Sequence, residues 1–110
     1  MTDQAPQRVL NIADLNDPGS RGFSHAGRAY FAVRYQGQLR VYRNLCPHRQ
    51  IGLDWQPDAF FDSSNSLIQC ASHGALFLIE TGECVSGPCQ GEYLEAVDFE
   101  QQGDWLYLRV

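Results

Sequence analysis

Short alternating or wholly apolar runs, separated by turn residues, cover most of the 110-residue chain. Such runs are typical of β-strands, and helical periodicity is weak throughout the chain. We therefore predict an all-β fold. The predicted strands cover residues 8–12, 22–25, 29–35, 39–42, 67–69, 75–79, 94–99 and 105–110.

Two pairs of these runs are joined by short turns and predict hairpins. Gln36-Gly37 joins the third run to the fourth, and a turn near Gln102-Gly103 joins the last two. Residues 16–20 have the composition of a loop, and the stretch from Cys46 to about Asn65 is irregular. Eight or nine short strands in a chain of this length predict a small sandwich or barrel.

Length and composition limit the classes of function. A chain of 110 residues supports one domain, over residues 1–110, and 44% hydrophobic residues is typical of a folded one. No apolar run approaches the roughly 20 residues of a membrane span. Residues 1–6 lack the basic and apolar segments of a signal peptide, so we predict a cytoplasmic protein.

The charge distribution argues against nucleic acid as a partner. The net charge is −5, whereas proteins that bind phosphate backbones carry a basic excess. Residues 1–55 have a net charge of +3 and residues 56–110 a net charge of −8. An acidic half could steer the protein toward a basic partner, although a solvated surface is the simpler interpretation.

Two short motifs each combine a cysteine with a histidine: Cys46-Pro47-His48 and Cys70-Ala71-Ser72-His73. Two thiolates and two imidazoles suit a transition metal or an iron–sulfur cluster. A zinc finger usually groups two cysteines in one loop and two histidines in the other, whereas each motif here contributes one of each. This order suits a two-iron cluster with one iron bound by cysteines and the other by histidines.

The motifs resemble those of Rieske-type [2Fe-2S] proteins, whose signature is Cys-x-His followed, after a gap, by Cys-x-x-His-Gly. Gly74 completes the signature, Thr81-Gly82-Glu83 resembles a family turn, and Gly87-Pro88 resembles the loop that covers the cluster. The resemblance implies an antiparallel sandwich or barrel with a small cluster-binding subdomain, whose loops lie at about 44–53, 69–77 and 84–90. It implies a [2Fe-2S] cluster bound by Cys46, His48, Cys70 and His73.

The sequence departs from the family pattern in three places. The gap between the motifs is longer than is usual, Ala71 replaces a proline, and two additional cysteines, Cys84 and Cys89, bracket Gly87-Pro88. None of these differences removes a ligand, but they indicate a less common branch of the family.

The resemblance also implies a low reduction potential. High-potential members link their ligand loops by a disulfide and place serine and tyrosine hydroxyls next to the cluster sulfurs. The corresponding positions here are near Ile51, Ser72, Ala75 and Phe77, which supply neither the cysteines nor the hydroxyls. We therefore predict a potential near the negative end of the Rieske range of about −150 to +300 mV.

The function implied is electron transfer rather than catalysis. A bacterial Rieske-type ferredoxin would pass single electrons from a flavin reductase to a terminal oxygenase or a reductase subunit. After His48 and His73 only His25 remains, which is too few for the two-histidine iron site of an oxygenase. The alternatives are the small Rieske-like subunit of a nitrite reductase, a redox-sensing interaction module and a structural zinc domain.

Several residues outside the motifs have simpler explanations. We expect His25 to be an ordinary histidine at a strand end, and Phe60-Phe61 to form a docking edge only if exposed. Cys84 and Cys89 are expected as reduced thiols that pack as small hydrophobic groups, with a bridge across their short loop as the alternative.

Overall fold

The computed structural model describes residues 7–45, 47, 53, 60–64, 66–70, 74–87 and 89–109. These residues form nine β-strands and one short 3-10 turn, so the predicted all-β class is confirmed. The strands are β1 Gln7–Asn11, β2 Gly19–His25, β3 Arg28–Tyr35, β4 Gln38–Arg43, β5 Leu67–Gln69, β6 Leu76–Leu78, β7 Cys84–Ser86, β8 Phe99–Gln102 and β9 Trp105–Leu108. Among the described residues, no helix is long and apolar enough to cross a membrane.

The strands form three antiparallel sheets of three strands each, in the orders β1-β9-β8, β2-β3-β4 and β5-β6-β7. The predicted hairpin between β3 and β4 is present. Its turn residues Gln36 and Gly37 have φ values of 51° and 76°, the left-handed pair that a two-residue hairpin turn requires. The carboxylate of Asp17 accepts hydrogen bonds from both backbone N–H groups, at 2.9 and 2.8 Å.

The central strand β3 is buried on both faces, and its side chains alternate between two hydrophobic clusters. Phe31 and Val33 belong to one cluster, together with side chains of β5 and β6. Tyr30 and Ala32 belong to the other, together with side chains of β1 and β9. The β2-β3-β4 sheet is therefore the middle sheet and lies between the other two, as expected for a sandwich.

The strand predicted over residues 94–99 is wrong in position, because β8 begins at Phe99. Leu94 and Val97 are buried while the two residues between them are exposed, a spacing of three rather than the two of a strand. Two separate backbone hydrogen bonds connect this segment to β4. The N–H of Arg43 donates to the carbonyl of Glu95, and the N–H of Val97 donates to the carbonyl of Val41.

The structure differs from the prediction in two further places, where residues with loop-like composition form strands because they pair with a neighbouring strand. Gly19 and Ser20, assigned to a loop by composition, begin β2 because they pair with Arg34 and Val33. The strand β7 was not predicted, and it pairs with β6 around a register shift. In both cases, pairing with the neighbouring strand determines the structure, because the local sequence has only a weak preference for a loop or a strand.

Candidate metal centre

The second predicted ligand loop begins where β5 ends. Cys70 directly follows this strand and is fully buried, with 0% of its surface exposed. Its backbone N–H donates to the carbonyl of Ala75 at 2.9 Å, and the N–H of Gly74 donates to the carbonyl of Cys70 at 2.8 Å. Gly74 has a φ of 67°, which glycine adopts without steric cost. The loop is thus closed at its base, with the thiol-bearing residue held inside the protein.

The first predicted ligand loop is also closed at its base. The side-chain carbonyl of Asn44, directly after β4, accepts a hydrogen bond from the backbone N–H of Leu53 at 2.7 Å. Leu53 is fully buried in the hydrophobic cluster that contains Cys70. This contact joins the two ends of the loop predicted at 44–53. Sequence reasoning missed the role of Asn44, although an asparagine just after a strand is a recognisable signal for side-chain-to-backbone bonding.

The third predicted loop packs against the second. Gly87 follows β7 with a φ of 104°, and a Cβ atom built at this position would lie 2.9 Å from the Cα of Ala75. Only a glycine backbone can approach Ala75 this closely. The turn after β7 therefore rests on the residue that closes the loop after Cys70.

All three predicted loops contribute buried residues to one hydrophobic cluster. The shared cluster contains Leu53 from the first loop, Cys70, Ala75 and Phe77 from the second, and Cys84 and Cys89 from the third. The described residues of the three predicted loops thus share one part of the core. Cys46, His48, His73 and Pro88 lie outside the described residues, so their assignment stays a prediction.

Cys70 is the one predicted ligand that lies within the described residues, and its surroundings fit the predicted group. Cys70 is a buried thiol on a tightly closed loop, which is the environment that protects an iron–sulfur cluster from solvent. Within the part of the chain that the structure describes, no group of three or more His, Cys, Asp or Glu side chains could hold a metal ion. His25 lies at the end of β2, as expected for a residue outside the site.

Aromatic residues near the predicted loops serve the core. Phe60 is fully buried, and its ring stacks on that of Phe31 at 4.2 Å between centroids. Phe61 is partly buried against the same cluster. The buried position of Phe60 excludes the exposed docking edge that was considered for Phe60-Phe61.

A surface pocket of about 180 Å³ lies away from the predicted ligand loops. It is lined by Arg40, Val41, Tyr42, Glu80, Thr81, Ala96, Val97 and Phe99, none of which belongs to those loops. Tyr42 donates from its hydroxyl to the carbonyl of Ile79 at 2.7 Å. Burial raises the pKa of Tyr42 to about 12; Arg40 lowers it and Glu80 adds to the rise. The hydrogen bond of Tyr42 joins β4 to the residue that follows β6.

The model of the Rieske [2Fe-2S] domain family matches residues 5–101. A search of the curated proteins finds no significant match.

Among solved structures, the chain is similar to the ferredoxin of carbazole 1,9a-dioxygenase from Nocardioides aromaticivorans IC177. The identity is 25%, the TM-score is 0.76, and the match covers 96% of this chain and 97% of that one. A ferredoxin in complex with the oxygenase of carbazole 1,9a-dioxygenase matches with 22% identity, a TM-score of 0.76 and coverage of 97% and 94%. The terminal oxygenase from Novosphingobium sp. KA1 matches at 16% identity and a TM-score of 0.80, over 98% of this chain and 30% of that one.

Proposed function

The chain belongs to the Rieske [2Fe-2S] domain family, and from this premise we propose that it carries single electrons to a terminal oxygenase. The observation that carries the proposal is the match to a dioxygenase ferredoxin over nearly the whole of both chains, at 25% identity. A related ferredoxin has been solved in complex with its oxygenase, which makes an oxygenase the natural acceptor. We propose a flavin reductase as the donor and the cytoplasm as the compartment.

The proposed ligands are Cys46 and Cys70 for one iron and His48 and His73 for the other. When bound, the [2Fe-2S] cluster accepts and releases one electron. The chain supports this site through the buried position of Cys70 and through the hydrogen bonds that close both ligand loops.

Residues of the second loop set the chemical character of the site. Ala75 and Phe77 are fully buried and belong to the same cluster as Cys70. Neither side chain can donate a hydrogen bond, so neither stabilises the negative charge added on reduction. This environment favours a low reduction potential, which suits delivery of electrons to an oxygenase rather than to a respiratory acceptor.

The test is reduction and reoxidation of the purified holoprotein by a flavin reductase and an electron acceptor, followed by visible absorption. The wild type is expected to cycle reversibly by one electron. His73→Gln removes a proposed ligand and is expected to abolish the cycle. His25→Gln is the matched control, because His25 lies at a strand end, and it is expected to leave the cycle unchanged. A His73→Gln variant that cycles like the wild type would contradict the ligand assignment.

A further inference from the structure

Two cysteines outside the proposed ligand set face each other inside the protein. The sulfur atoms of Cys84 and Cys89 are 2.7 Å apart. The two residues are 1% and 0% exposed. This separation lies between the length of a disulfide bond, about 2.05 Å, and an ordinary contact between two unbonded sulfur atoms.

Backbone hydrogen bonds hold the two cysteines in this position. The N–H of Gly91 donates to the carbonyl of Cys84 at 3.2 Å, and the N–H of Glu92 donates to the carbonyl of Cys89 at 2.8 Å. The N–H of Cys84 donates in turn to the carbonyl of Glu92 at 2.8 Å. Because both ends of the turn are fixed, a small shift of the two side chains is enough to bring the sulfurs to bonding distance.

We propose that Cys84 and Cys89 form a reversible disulfide, and that this bond locks the turn after β7 onto the loop after Cys70. Because Gly87 packs against Ala75, restraining the turn after β7 also restrains the loop after Cys70. Formation of the bond does not depend on the proposed electron acceptor. A disulfide of this kind in a reducing compartment is transient and responds to oxidants.

The oxidant that fits the site is a peroxide, because both thiols are buried and a small molecule reaches them most readily. The residues Val85, Ser86 and Gly87 between them are exposed, so local opening of the turn gives access. One thiolate attacks hydrogen peroxide, which forms a sulfenic acid and one water. The second thiol attacks that sulfur, which forms the S–S bond and releases a second water. Two thiols are oxidised and one peroxide is reduced to two waters.

The experiment treats the purified holoprotein with hydrogen peroxide in steps up to one equivalent and then blocks remaining thiols with N-ethylmaleimide. Peptide mapping by mass spectrometry is expected to show a link between Cys84 and Cys89, with a mass lower by two hydrogen atoms. Dithiothreitol is expected to reduce the Cys84–Cys89 link again. The visible spectrum of the holoprotein is expected to remain unchanged during the peroxide treatment. In Cys84→Ser and Cys89→Ser, the matched variants, dimedone is expected to trap a sulfenic acid on the remaining cysteine.

A second measurement tests the effect on the turn. Hydrogen exchange at the amides of Gly91 and Glu92 is expected to become roughly tenfold slower after oxidation of the wild type, and to stay unchanged in the two serine variants. Three results would overturn the inference: both cysteines alkylated after one equivalent of peroxide, a link to Cys46 or Cys70 instead, or exchange that does not respond to a formed bond.

Discussion

Positions 75 and 77 carry a methyl and a phenyl group, and we predict that hydroxyl groups there would stabilise a reduced cluster. Both side chains are fully buried beside Cys70 in one hydrophobic cluster. A hydroxyl placed there has no water to compete with, so a sulfur acceptor becomes its preferred partner. We therefore predict that single residues in the second ligand loop control the reduction potential.

Ala75→Ser and Phe77→Tyr are each expected to raise the reduction potential by about 40–60 mV. This shift corresponds to one added hydrogen bond of about 1–1.5 kcal/mol to the reduced state in a one-electron couple. Redox titration followed by visible absorption measures it. Phe77→Leu is the control, since it disturbs the same packing without adding a donor and should leave the potential near that of the wild type. A wild-type midpoint well above zero would contradict the low-potential assignment.

Tyr42 links the pH dependence of stability to one buried hydrogen bond. Burial raises the pKa of Tyr42 to about 12, above its ordinary value of 10.0. The unfolded chain therefore loses this proton at a lower pH than the folded chain. The contribution of Tyr42 to stability is fully present below pH 10 and is lost as the pH rises toward 12.

Tyr42→Phe is expected to destabilise the protein by about 1–3 kcal/mol at pH 7, because the carbonyl of Ile79 loses its buried partner. The difference in the free energy of unfolding between this variant and the wild type is expected to become smaller between pH 10 and 12. Urea unfolding at a series of pH values measures both effects. A difference that stays constant up to pH 12 would show that the Tyr42 hydroxyl does not titrate in this way.

At the scale of elements, the contact between the turn after β7 and the second ligand loop depends on a glycine. Gly87→Ala is expected to displace the turn from Ala75 and to speed the loss of the cluster to a chelator, because the new Cβ would lie 2.9 Å from the Cα of Ala75. The decay of visible absorption measures this rate. Gly91→Ala is the matched control: Gly91 has a similar φ of 94°, but no atom lies within 4 Å of the added Cβ. Equal rates in the two variants would exclude a role for the contact.

The elements that local sequence could predict are those whose pairing partner lies nearby in the chain. The β3–β4 hairpin has a two-residue turn with glycine at its second position, which is a strong local signal. The strand β7 has no such signal, since it depends on β6 and a register shift. The segment 94–97 was misplaced because its two buried residues are three apart and its contacts are made singly with the end of β4.

At the scale of the whole molecule, the middle sheet separates two hydrophobic clusters, and the predicted ligand loops all belong to one of them. The sequence motifs and the family resemblance predict which loops form the site, and the described residues of those loops share one hydrophobic cluster. They could not predict how the loops are held together. The Asn44–Leu53 hydrogen bond and the Gly87–Ala75 contact join residues through the fold rather than through a motif.

The most direct test of the central claim is pulsed EPR of the reduced holoprotein, with the histidine nitrogens labelled. The proposed ligands predict a [2Fe-2S] signal whose average g value is lower than that of an all-cysteine cluster, with hyperfine couplings to two histidine nitrogens. His73→Gln should lose this signal, and His25→Gln should retain it. A protein that contains zinc instead of iron, or a cluster signal without histidine nitrogen couplings, would contradict the claim.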